Sequence, residues 1–95
     1  MAKGKLAAAL LTEPLDERAV HKEMRRVVRL PDAELSAEIE ATRKETRFDG
    51  SDVVRAYYID SALHLLECAG RLPLDVRSGA LDVVLCRMGS NRRKA

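Results

Sequence analysis

The sequence predicts an all-α fold: a small four-helix domain whose third helix is central and mostly buried. Three observations carry that expectation. Apolar residues recur at helical spacing in every segment between breakers, and no stretch alternates apolar and polar with turn signals as a strand would. At 95 residues the chain is one domain with a limited core. One stretch, Asp52 to Ala69, is apolar or small around most of its circumference. On a wheel of about 100° per residue its polar side chains Asp60, His64 and Glu67, with Arg71 beyond, gather in an arc of roughly 60°. A helix of that kind needs cover on most sides.

Residues 1–11 read as a flexible or partly helical arm whose Leu6, Leu10 and Leu11 could dock on the core. Its Lys3 and Lys5 precede a six-residue apolar run, too short for a signal-peptide core. The domain proper spans 12–89. Thr12 is the expected N-cap of the first firm helix, with Pro14 in its first turn and its end near Arg29. Val20, Met24, Val27 and Val28 share one face of that helix. Leu30-Pro31 interrupts the chain, and Asp32 is placed to cap a second, mostly polar helix from Ala33 to about Arg47. Leu35, Ile39 and Thr42 give it a thin apolar stripe. Phe48 to Ser51 forms a turn, with Ser51 the expected cap of the central helix and Gly70 its C′ residue. The last helix is expected from about Val76 to Met88, stopped by Gly89, with Ala80, Leu81, Val84, Leu85 and Met88 inward. Gly79 inside it costs about 1 kcal/mol relative to Ala, which implies a close neighbour or a later start. Residues 90–95 read as a basic disordered tail.

Composition narrows the function. Only Phe48, Tyr57 and Tyr58 are aromatic, which argues against stacking platforms for single-stranded nucleic acid. Charged residues reach 34% but the net charge is +2, so local patterning has to identify a partner. Cys68 and Cys86 are too few for a disulfide scaffold and suit a reducing, cytoplasmic setting. No run approaches membrane-spanning length, so no membrane partner is expected.

Catalytic chemistry has no motif here. Ser51, Ser61 and Ser78 lack a nucleophile-elbow context, and the glycines are too scattered to cradle phosphate. His64 has Asp60, Glu67 and Cys68 within one turn, but the paired ligand spacings of a zinc site are missing. That cluster reads as a solvated helix edge joined by i, i+4 pairs, and no cofactor or metal is expected.

Two binding readings remain. The first is a regulatory or adaptor protein that binds another protein, a second copy of itself included, through leftover apolar helix surface. Tyr57, Tyr58, Leu81, Val84 and Leu85 are its candidate contacts. The second is a nucleic-acid accessory protein. Arg18, Lys22, Arg25, Arg26 and Arg29 are contiguous with His21 on the first helix, and Arg92 and Arg93 could add phosphate contacts. Against it, Glu34, Glu38 and Glu45 of the second helix could mask the basic face. A helix-turn-helix over Leu63 to Val84 is excluded as the leading reading, because its second helix offers Asp75 and Asp82 where base contacts need Arg, Asn or Gln. The stretches Leu30-Pro31-Asp32-Ala33-Glu34-Leu35 and Tyr58-Ile59-Asp60-Ser61-Ala62-Leu63 resemble the short all-helical anti-activators that silence quorum-sensing transcription factors. That resemblance implies a protein-binding inhibitor; it carries over no residue.

Overall fold

Five α-helices make up the described part of a computed structural model, which covers residues 4–47 and 53–94, the last seven as backbone alone. They are α1 (Lys5–Leu11), α2 (Glu17–Val28), α3 (Asp32–Glu45), α4 (Val53–Gly70) and α5 (Leu74–Lys94). No strand occurs among the described residues. The molecule is a slab of 39 × 37 × 18 Å, about two helix layers thick.

The helix beyond the expected four is the arm, α1. Leu6 and Leu10 are fully buried, and Ala7 and Ala9 lie beside them in the core, so the short α1 is held by its apolar face. Its first backbone N–H, on Gly4, donates to Glu45 Oε1 of α3 at 3.1 Å. Thr12 closes α1 rather than opening α2: its hydroxyl donates back to the Ala8 carbonyl at 2.7 Å. The cap of α2 is Asp16, whose carboxylate accepts from the Arg18 and Ala19 N–H groups at 3.0 and 3.4 Å.

The hub of the fold is α2, not the Asp52–Ala69 stretch. It packs against each of the other four helices. Val20, Met24, Val27 and Val28 are its buried face, as their spacing predicts. The expected central helix, α4, buries one stripe: Ile59, Ala62, Leu63, Leu66 and Ala69. A wheel reports how apolar a side is and says nothing of whether a neighbour exists to cover it. In a slab two layers thick there is none for the outer side of α4.

α3 covers the core with Leu35, Ile39 and Thr42, while Ala41 faces water. Gly70 lies on the crossing of α3 and α4. A Cβ there would stand 2.9 Å from Leu35 Cδ2, so the glycine serves close approach rather than a left-handed helix end. α5 starts at Leu74 and continues past Gly89 to Lys94. A Cβ on Gly79 would meet nothing within 4 Å, so neither expected reason for that glycine applies. The expected cap Ser51 lies outside the described residues.

Two arginines close the ends of earlier helices. Arg55 of α4 donates to the carbonyls of Leu10 and Thr12 at 2.8 and 3.1 Å, and to Glu13 Oε1 at 2.6 Å. It thereby satisfies acceptors at the C-terminus of α1, where the helix has no partner of its own. Arg77 of α5 does the same for α4. It is only 3% exposed, and it donates to the Leu72 and Gly70 carbonyls at 2.8 and 3.0 Å and to Asp32 Oδ1 at 2.6 Å. Asp32, expected as the α3 cap, is thus a clamp between the start of α3 and α5. The third nitrogen, Arg77 Nη1, is buried without a partner.

Candidate protein-docking surface

The first two turns of α4 put three large apolar side chains into solvent. Val53, Val54 and Tyr57 are 74%, 82% and 76% exposed. Tyr58, one position on, turns inward against the core, close to Met24, Leu65 and Leu85 in a small recess between α2, α4 and α5. Past the other end of α4, Leu72, Leu74 and Val76 are also open to solvent, as are Val83 and Val84 on α5. Exposed apolar side chains scattered singly need no explanation, but here they cluster at the two ends of one helix.

Of the five candidate contacts, then, Tyr57 and Val84 are at the surface and Tyr58 is half-buried. Leu81 and Leu85 are each 3% exposed and belong to the core, which corrects their placement at an interface. Their spacing of four defines the inward face of α5, where Arg77 precedes them by one further turn. Val53 and Val54 were missed because they open α4 next to a turn, where apolar residues read as the start of a buried stripe.

Among the described residues acids answer two of the five cations on the basic face of α2, Arg25 and Arg26. Arg25 Nε lies 2.7 Å from Asp82 Oδ1 of α5. Arg26 meets Glu23 at 2.8 Å and Glu38 of α3 at 3.0 Å. The bond to Glu23 is the main reason its guanidinium is held above the ordinary arginine value, against the opposing effect of burial. Arg29 donates to the Ser78 hydroxyl at 3.3 Å. Arg18 and Lys22 stay exposed, and the side chains of Arg92 and Arg93 lie outside the described residues. Glu45 turns to Gly4 rather than to α2.

The arc of Asp60, His64, Glu67 and Arg71 runs along the outer side of α4, each residue exposed. The expected i, i+4 pairing does not hold it together. Glu67 reaches across to Arg43 of α3 at 2.9 Å, while Asp60 and Arg71 have no ion pair among the described residues. His64 Nε2 and Cys68 Sγ are 3.5 Å apart. Among the described residues no group of three His, Cys, Asp or Glu side chains could hold a metal ion. Between α3 and α4 lies an open groove of about 510 Å³, with Leu35, Ile39 and Leu66 in its floor and Glu40, Arg43 and Arg71 among its walls. No described helix is long and apolar enough to cross a membrane.

No family model, curated protein or solved structure matches the chain.

Proposed function

We propose that this chain is a small regulatory or adaptor protein that works by binding protein through the outer face of α4. The observation that supports the reading is the exposed cluster Val53, Val54 and Tyr57. Desolvating such side chains on a partner contributes about 25 cal/mol per Å² of apolar area, and a tyrosine is a common anchor of such contacts. The protein acts as an inhibitor or anti-activator, or as a scaffold, in a cytoplasmic setting that keeps Cys68 and Cys86 as thiols. It carries out no catalysis of its own.

The nucleic-acid reading is the second choice. Arg25 and Arg26 are engaged with carboxylates, and a phosphate would have to displace them. Arg18, Lys22 and Arg29, the three without a described acid partner, are few for a backbone track.

The test is capture with the full chain and with its Val54→Asp variant from the cells that make it. A partner retained by the parent and lost by the variant, with the two melting alike, supports the reading. Identical captured sets refute it. Weak, unchanged retention on heparin at low salt would dispose of the alternative.

A further inference from the structure

The outer face of α4 has a pattern that fits its own reversal. Running from the N-terminus it shows an apolar patch (Val53, Val54, Tyr57), an acid (Asp60), an imidazole (His64), an acid (Glu67), a base (Arg71), and then the apolar turn into α5 (Leu72, Leu74). Turned end for end about a point between Leu65 and Leu66, the list becomes its own complement. Counted along the chain, Asp60 falls opposite Arg71, His64 opposite Glu67 and Tyr57 opposite Leu74. Asp60 and Arg71 are eleven residues apart, Arg71 being the first residue past the end of α4. Among the described residues neither has an ion-pair partner.

We propose that the occupant of this face is a second copy of the chain, packed antiparallel across α4 about a two-fold axis. The inference rests on the docking reading above and names its partner. In the dimer each Asp60 meets the partner's Arg71, and Tyr57 of each copy meets the partner's Leu74. An isologous contact repeats every pair twice, so a self-complementary pattern is what it requires. Parallel packing is excluded by the same residues, because it sets Asp60 on the partner's Asp60 and Arg71 on the partner's Arg71. A foreign partner would need no such symmetry of charge and apolar ends. Charge complementarity decides the direction and register, and the apolar ends supply the affinity.

Sedimentation equilibrium of the full chain across micromolar concentrations tests this. The parent is expected to dimerise reversibly. Asp60→Arg and Arg71→Asp each turn two attractive pairs into two repulsive ones and raise the dimer Kd by about thirtyfold. Mixed in equal amounts, the two variants restore the dimer mass, because each meets opposite charge in the other. The double variant Asp60→Arg/Arg71→Asp restores it within one chain. Both positions are exposed, and matching thermal melts confirm that folding is intact. A parent that stays monomeric overturns the inference and leaves the docking reading to the capture experiment. A dimer indifferent to both variants, or a mixture as dissociated as either one, overturns it as well.

Discussion

Replacing Arg77 by Met removes a clamp that no nearby residue can replace. The side chain is 3% exposed and donates three hydrogen bonds of 2.6 to 3.0 Å, to Asp32 and to the carbonyls of Gly70 and Leu72. Hydrogen bonds from a charged donor contribute about 1.5–3 kcal/mol each before offsets. Two offsets apply. The Asp32 side chain is 86% exposed and rehydrates when its partner leaves, so its bond contributes little net. The unpartnered Nη1 costs about 1–3 kcal/mol in the parent, and the substitution relieves it. Met retains most of the stem's packing. The net loss is about 2 kcal/mol, a fall of roughly 8–16 °C in Tm for a domain of this size. Arg77→Lys should fall between, because a single ammonium cannot reproduce the planar fork. A calorimetric melt or a urea titration followed by circular dichroism measures it. A Tm for Arg77→Met within about 2 °C of the parent would refute the view that Arg77 closes the end of α4.

Gly79→Ala should stabilise the protein by up to about 1 kcal/mol, since the new methyl meets open space and the helix gains propensity; an unchanged or lower urea midpoint would contradict the placement of α5. Leu10→Ala should cost about 2–5 kcal/mol, the range for a fully buried leucine, whereas a loosely attached arm would tolerate it. Arg25→Ala and Asp82→Ala should each cost less than about 1 kcal/mol, because both ends of the pair are near half exposed. A double-mutant cycle that gives a coupling of several kcal/mol would show that this bridge is less exposed than its geometry implies.

Periodicity made much of the molecule legible. Val20, Met24, Val27 and Val28, and likewise Leu35, Ile39 and Thr42, are buried as their spacing requires. What spacing cannot report is which apolar face finds cover. Asp52 to Ala69 is the longest apolar stretch, and on spacing alone it belongs at the centre. The centre is α2, whose charged outer side made it look peripheral. Capping was misread where one residue had two uses. Thr12 suits either the end of one helix or the start of the next, and the Ala8 carbonyl takes its hydroxyl. Asp32 has the chemistry of an N-cap but is drawn to Arg77, 45 residues away. Nothing local marks Arg55 as special, because its acceptors lie more than forty residues back, and Arg77 joins two nearby carbonyls to an aspartate 45 residues away. Leu81 and Leu85 were correctly read as inward and wrongly offered as contacts too, and α5 runs on through Gly89 because one glycine does not end a helix with so little against it.

Arg55 and Arg77 also govern how the protein could be taken apart. Each lies in a later helix and finishes an earlier one, so a peptide carrying α1 to α3 alone would lack the group that completes α1, and one ending after α4 would lack the group that completes α4. No boundary in the chain separates a self-sufficient half from a dispensable one. Split versions or minimal fragments should therefore recover structure only when the missing arginine is supplied in trans by the complementary piece.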